Sequence, residues 1–397
     1  MKLKILLLTP QIPYPPTGGG VYVSNKIVTY FSDTYDLTCF ALDKNDGDTL
    51  RDIFSDKISP SPLFTVKHKA NRSLLNFIRS VYRGVPLTVY RNKNTHAEQI
   101  ILELSKSADA IFIDHYVMYQ YVPSNFKGRI VVYEHNAEFV LWKRFSSENK
   151  NIFFKLILRF EALRILSYEK LMAKSAHAIL AYPNDLSMLV DSGCDAAKFH
   201  QLIPIGDDEL LNLPGIEFNC AKPILLFVGT MTWEANLHGV RWFLQEVWPA
   251  VYRHNPNAEF WICGNTGDNL SFVKEANSCS GVKCFGFVED LEEIYSQSSI
   301  FVAPLRFGSG IKIKVVNALF RGFPVVSTRC GVEGIGCTSE NGVYITDDAS
   351  EFSAHIINLM DNPEAWRTAS MQAREFSKKK ISWETQFKII DRAVQND

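Results

Sequence analysis

Short apolar runs alternate with amphipathic stretches along this chain, and that alternation constrains its fold more than any other feature. Ile5–Leu8, Leu37–Ala41, Ala110–Ile113, Ile130–Tyr133 and Ala178–Ala181 are apolar-rich and too short for helices. Between them lie helical patterns such as Tyr22–Phe31, Thr95–Ser105 and Ile152–Ala173. Apolar strands separated by helices predict a parallel sheet covered on both faces. After the loop-like segment Gly206–Pro223 the pattern starts again. Strands are expected at Ile224–Val228, Glu259–Cys263, Lys283–Phe285, Ile300–Ala303, Pro324–Ser327 and Gly342–Thr346. Helices are expected at His238–Tyr252, Leu291–Ser296 and Ile311–Phe320, and from Ala349 onward with a break near Pro363. The fold class is therefore α/β: two facing, Rossmann-like, doubly wound domains, residues 1–205 and 206–382. A last helix at about 383–397 is available to pack back on the first domain. Ligands of such sheets bind at the carboxyl ends of the strands, so the cleft between two facing domains is the expected site.

Composition excludes several classes. A net charge of −1 over 397 residues is not that of a nucleic-acid binder. The eight cysteines form no CxxC pair and no zinc-spaced Cys/His set, which reads as small thiols in a reducing compartment. The opening MKLKILLLTP is too short for a signal-peptide core, and no run approaches the roughly 20 apolar residues of a membrane span. A cytoplasmic protein is expected, or one peripheral to the inner face of the cytoplasmic membrane. Charge is uneven, however: Lys57 to Ala97 contains no acidic residue, yet holds Lys67, Lys69, Arg72, Arg79, Arg83, Arg91 and Lys93.

Three places carry candidate chemistry. After strand Ile5–Leu8, the glycines Gly18, Gly19 and Gly20 open into a helix, where backbone N–H groups approach an anion without side-chain interference. The spacing is not GxGxxG, and a flexible turn after a proline-rich loop explains it equally well. In the second domain, strand Ile300–Ala303 runs into Arg306, Gly308, Ser309 and Gly310 and then a helix. Ile311, Val315, Ala318 and Leu319 form its apolar face, and Lys314, Asn317 and Arg321 share another. Such a basic turn suits a phosphate or diphosphate, although isolated lysines and arginines on a helix are more often a solvated face. Lastly, Asp114–His115 and Glu134–His135–Asn136 each follow a predicted strand, where groups able to move a proton collect.

The donor-side phrases FVGTMTWEANLHGVRWFLQEVWP, GFVEDLEEIYSQSSIFVAPLRFGSGIKIKV and GFPVVSTRCGVEGI resemble, in order, those of GT-B glycosyltransferases, specifically retaining family 4 (group 1). The bacterial polysaccharide branch of that family is the most similar, and PPTGGG and EHNAEF extend the likeness into the first half. The resemblance implies a glycosyltransferase that takes a nucleotide-diphosphate sugar as co-substrate, with no cofactor and no metal. It implies that Arg306 and Lys314 hold the donor diphosphate and that Gly308, Ser309 and Gly310 supply amides. Gly19 and Gly20 would approach from the first domain, and Gly286–Leu291 would cradle the base. His115 would touch the transferred sugar, and Glu134 and His135 would lie on the acceptor side. Two glutamates of the family are replaced by Ser309 and Asn317, and Asn317 occupies the ribose-gripping slot.

The implied reaction is retaining, with the leaving diphosphate taking the acceptor's proton. A glycan or polyprenyl-diphosphate-linked acceptor is implied as partner. The mixed apolar and basic segments SLLNFIRSVYRGVPLTVY and NIFFKLILRFEALRIL would make peripheral membrane contact. A nucleotide-sugar epimerase would need more cleft carboxylates than Asp114 and Glu134. A non-catalytic nucleotide-sugar-binding relative is the reading that Asn317 alone favours.

Overall fold

The computed structural model describes residues 2–14, 19–43, 61–69, 73–148, 151–203, 206–267, 269–308 and 311–395. The chain forms two compact units. The first comprises Met1–Leu202 with Phe387–Asp397, and the second comprises Ile203–Gln386.

The first unit holds a seven-stranded sheet: β1 (Lys4–Thr9), β2 (Asp36–Asp43), β3 (Leu63–Lys67), β4 (Ala110–Asp114), β5 (Arg129–Glu134), β6 (Ala178–Ala181) and β7 (Phe199–Gln201). Every recorded strand pair is parallel, in the order β3-β2-β1-β4-β5-β6-β7. Its helices are α1 (Gly19–Thr34), α2 (Leu74–Tyr82), α3 (Leu87–Tyr90), α4 (Thr95–Ser105), α5 (Glu138–Glu148), α6 (Ile152–Ser175) and α7 (Pro183–Asp191). Strands β1 and β4 are buried on both faces, as their apolar runs demand. The edge strands β3 and β7 escape the sequence pattern for a physical reason. An edge strand needs little apolar surface: β3 buries only Leu63 and Val66, and β7 is the short, partly exposed Phe-His-Gln.

The second unit repeats the plan with β8 (Ile224–Val228), β9 (Glu259–Cys263), β10 (Val282–Gly286), β11 (Ile300–Ala303), β12 (Val325–Ser327) and β13 (Val343–Ile345). The order is β10-β9-β8-β11-β12-β13, again parallel. Its helices are α8 (Glu234–Trp242), α9 (Trp248–His254), α10 (Leu270–Ser278), α11 (Glu292–Gln297), α12 (Ile313–Arg321), α13 (Ala349–Asp361) and α14 (Pro363–Phe376), followed by α15 (Trp383–Gln395). The expected single helix His238–Tyr252 is instead α8 and α9 joined by a π-helical turn, Phe243–Val247. Pro249 supplies the reason: it has no N–H and its ring crowds the preceding turn, so the chain widens there.

From Phe387 onward, α15 belongs to the first unit and packs on α1. The Phe387 and Tyr30 rings stack at 3.8 Å, and Asp391 accepts 2.6 Å hydrogen bonds from the hydroxyls of Tyr30 and Tyr35.

Candidate active site

Both sheets reverse strand order beside their first strand, between β1 and β4 in one unit and between β8 and β11 in the other. A crevice opens at such a reversal, and residues just past those strand ends line it.

In the second unit, Lys314 spans the reversal. It lies in the first turn of α12, yet its Nζ donates a 2.6 Å hydrogen bond to Asn236 Oδ1 on α8. It also sits 4.4 Å from the Phe227 ring centroid. Asn236 in turn donates to Thr230 O at 2.8 Å, which ties the turn after β8 to the same cluster. Gly229 makes room for this: a Cβ there would collide with Lys314 Nζ and Asn236. Gly264, past β9, also has no space for a side chain, since its Cβ would strike the Gly229 carbonyl. Its N–H donates to Gly286 O at 2.7 Å. Three adjacent strand ends thus meet as bare backbone. Burial, then the neighbouring Lys312, lowers the Lys314 ammonium to about 7. Lys312 is itself buried, and burial lowers it as well. Glu333 acts on Lys312 as a counter-charge, whereas a lysine placed as Lys314 is suits an anion.

The other expected residues of this turn fall as follows. Arg306 is exposed; its guanidinium lies 4.7 Å from the Trp242 ring and donates to Asp347 O at 2.7 Å. Gly308 has φ 124°, a conformation that favours glycine, and its open side faces Trp233. Ser309 and Gly310 lie outside the described residues. The helix begins at Ile313 rather than Ile311, and Lys312 at its N-cap has φ −94° and ψ 86°, outside the helical region.

One expectation about this helix needs correction. Arg321 is not on an open basic face: it is 2% exposed, donates to Pro214 O and pairs with Glu292 at 2.7 Å. A guanidinium with those partners braces the fold. Asn317 is part-exposed, but its Oδ1 accepts the Asp207 N–H at 2.8 Å. That oxygen lies so close to Gly206 that a Cβ there would strike it. One of the two acceptor sites of the carboxamide oxygen is therefore used within the chain, and the amide nitrogen keeps two donors.

In the first unit the reversal is filled by an acid–histidine pair. Asp114, at the end of β4, is buried and lies 2.6 Å from His135 Nε2, just past β5. Burial alone would raise the Asp114 carboxyl. The charge and hydrogen bond of His135, with the Ser24 and Thr9 hydroxyls, outweigh it and hold the group below the usual carboxylate range. With Nε2 facing that carboxylate, the Nδ1 edge of His135 turns to Gly20, 3.5 Å from where a Cβ would stand. Gly19 opens α1 beside it; Gly18 lies outside the described residues. Asp114, His135 and Gly20 line a cavity of about 290 Å³ with Thr9, Gln11, His115 and Asn136. His115 adopts φ 89°, ψ 130°, the one positive φ outside glycine among the described residues. Strain of this kind is kept where a side chain must be aimed. Its ring lies 5.7 Å from that of His135.

Glu134 differs from its expected acceptor-side position. Its side chain is buried at 1% exposure, where burial and then Glu169 raise its carboxyl far above the usual range. It is an interior acid whose charged form burial disfavours, not an open base.

Lys312, Gly229 and Asn236 were not among the expected site residues. The available signal for the last two was their place in FVGTMTWEANLHG, directly after a strand.

Residues 222–362 match the family model described as Glycosyl transferases group 1, which spans the lysine–glycine site. The chain carries a group 1 glycosyl transferase domain. A relative described as an uncharacterized 44.6 kDa protein in the cps region of Klebsiella pneumoniae is 24% identical over 383 residues, covering 94% of this chain and 95% of the relative. HepE of Anabaena in complex with UDP aligns with a TM-score of 0.66 at 13% identity over the whole of both chains. WaaG, a glycosyltransferase involved in lipopolysaccharide biosynthesis, aligns at 0.62 with 13% identity over 98% of each. Sucrose-phosphate synthase of Thermosynechococcus elongatus aligns at 0.65 with 16% identity over the whole of both. The fold of this glycosyltransferase is accordingly the two-domain GT-B architecture.

Proposed function

We propose that this glycosyltransferase moves a sugar, with retention of configuration, from a nucleotide-diphosphate sugar to a glycan or polyprenyl-diphosphate-linked acceptor. The setting is bacterial surface polysaccharide synthesis at the inner face of the cytoplasmic membrane. The observation that carries the reading is Lys314: a part-buried ammonium, lowered to about 7, at the β8/β11 reversal, near Lys312 and bare glycine backbone, and inside the matched region. The solved neighbours with UDP, with UDP and glucose, and with UDP-glucose support the donor class. The relative in a cps region and WaaG's part in lipopolysaccharide biosynthesis support the setting. Among the described residues no helix is long and apolar enough to cross a membrane.

In this scheme Lys314, Lys312 and Arg306 neutralise the diphosphate, with amides of the Gly308–Gly310 turn, and Asn317 offers its amide to the nucleotide. Gly286–Leu291 cradles the base. As the bond from the sugar's anomeric carbon to phosphate breaks, the acceptor oxygen bonds to that carbon on the same face. Its proton passes to the departing diphosphate. Little covalent work falls to the protein, and stabilising the departing charge is the main task. No metal ion or cofactor enters the scheme. His135, held by Asp114, presents its Nδ1 edge to the acceptor hydroxyl and orients it. His115 and the Gly19–Gly20 opening serve the transferred sugar and the donor phosphates.

A panel of nucleotide sugars, each with and without acceptor, tests this. Release of nucleoside diphosphate that depends on acceptor, with product of unchanged anomeric configuration by NMR, is the expected result. Interconversion of the sugar without acceptor would indicate an epimerase. Binding without turnover would indicate the non-catalytic reading, which the occupied oxygen of Asn317 favours.

A further inference from the structure

A cavity of about 890 Å³ in the first unit shares no lining residue with the Asp114–His135 site. The acid-free stretch builds most of its wall. Lys69, Arg83, Arg91 and Lys93 line it together with His68, and the lining includes no acidic side chain among the described residues. The closest recorded counter-charge is Glu98, 3.2 Å from Lys93, and both of those side chains are more than one-third exposed. Beside the cations stand Tyr90, Tyr119 and Tyr168, with the Asn94 and Gln120 side-chain amides. Cations next to flat rings and amides suit a phosphate attached to a sugar: charge for one, stacking and hydrogen bonds for the other.

A second observation sets the source of that phosphate. Asn76 and Arg83, on and just after α2, line the cavity, while Leu74, Leu75, Ile78 and Tyr82 of that helix are 54–90% exposed. Tyr168 of α6 also lines it, while Phe153, Phe154, Leu156, Phe160 and Leu163 of α6 are 46–75% exposed. The two helices are joined through Arg164, whose guanidinium lies 5.9 Å from the Phe77 ring and 5.5 Å from the Phe160 ring. It also donates to Ser80 Oγ at 3.2 Å. Exposed apolar side chains of two linked helices therefore stand beside a cationic cavity, and the same helices carry exposed Arg79 and Arg159. Apolar area of this extent marks an interaction surface. A symmetric pair of copies through this face would set its cations against their own images. An anionic bilayer complements both the charge and the apolar area.

We propose that the cavity holds the phosphate or diphosphate of a membrane-embedded, long-chain lipid carrying the acceptor sugar. The hydrocarbon chain stays in the bilayer against α2 and α6. This rests on the acceptor class proposed above and deepens it by assigning residues to it.

The test is flotation of the full chain with three sets of phosphatidylcholine vesicles: plain, doped with a polyprenyl phosphate, and doped with phosphatidylglycerol to the same charge. The expected result is about tenfold tighter binding to polyprenyl phosphate vesicles than to charge-matched phosphatidylglycerol vesicles. Arg83→Gln with Lys93→Gln should erase that difference while leaving UDP binding and the melting midpoint unchanged. Phe153→Ser with Leu156→Ser should weaken binding to all three vesicles. Equal binding to both anionic vesicles would overturn the proposal, as would a Gln pair that binds like the wild type. Saturable binding of inorganic diphosphate as tight as that of the lipid would overturn it in favour of a soluble phosphate. A dimer lost in the Ser pair would overturn it in favour of a second copy. Flotation requires no turnover, so lipid binding without sugar transfer counts against the proposed function alone. Transfer to lipid-free acceptor without lipid binding counts against this site alone.

Discussion

The two units end their first strands in the same way and then fill the crevice with opposite chemistry. In the first, past β1, β4 and β5, a buried carboxylate answers a histidine, so Asp114 and His135 satisfy each other. In the second, past β8 and β11, part-buried Lys314 stands among amide, glycine and ring neighbours with buried Lys312 two residues before it, and burial depresses both. A paired charge is settled without a ligand and serves to orient a group. A depressed ammonium such as that of Lys314, whose hydrogen bond goes to a neutral amide, suits an anion, which is the binding role proposed for it. Shared backbone topology thus leaves the division of labour to the few residues that follow each strand.

The largest expected effect tests the binding half. Lys314→Met should weaken nucleoside diphosphate binding by about a hundredfold, on the order of 3 kcal/mol for a charge-assisted contact. Isothermal titration calorimetry measures it, and unchanged affinity would erase the contrast between the units. Next, Asp114→Asn should lower turnover by roughly ten- to a hundredfold while leaving nucleotide affinity alone, as expected for a group that aims His135. Equal losses in both would mean that the two crevices do not divide the work. The third effect is pH dependence. Lys314 in the free protein titrates near 7, and a bound diphosphate must raise it. Affinity should therefore be greatest below pH 7. It should fall by up to about tenfold per unit as pH rises above 7, with proton uptake on binding; Lys314→Met should flatten that profile. The smallest effect concerns Asn317. Asn317→Ala should cost about 1 kcal/mol of stability in chemical denaturation, because the Asp207 N–H loses its acceptor. If nucleotide affinity falls more than stability does, its free amide belongs to the binding half.

The doubly wound plan was readable because buried parallel strands must be apolar on both faces. Glu259–Cys263 and Ile300–Ala303 fall where the apolar runs placed them. The edge strands β3 and β7 carried no such run, and Pro249 broke a helix whose apolar periodicity continued through it. At the site, position after a strand singled out His115 and His135, and the basic turn singled out Lys314, but neither signal said what their neighbours would do. Arg321 shares a helical face with Lys314 and Asn317 by spacing, yet Glu292 and the Pro214 carbonyl take it into the interior. Glu134 is adjacent to His135 in the chain, and strand alternation sends its side chain inward beside Glu169.

The amino-acid sequence by itself determined the two α/β halves, the glycine and basic turn after β11, and the acid-free apolar segment. These depend on local periodicity and composition, which survive without partners. Only the tertiary structure decided that Lys314 reaches Asn236 across the β8/β11 reversal, that Asp114 faces His135, and that Asn317 spends its oxygen on the Asp207 backbone. Each joins residues at least 21 positions apart, and a hydrogen bond of under 3 Å depends on where whole elements pack rather than on any local pattern.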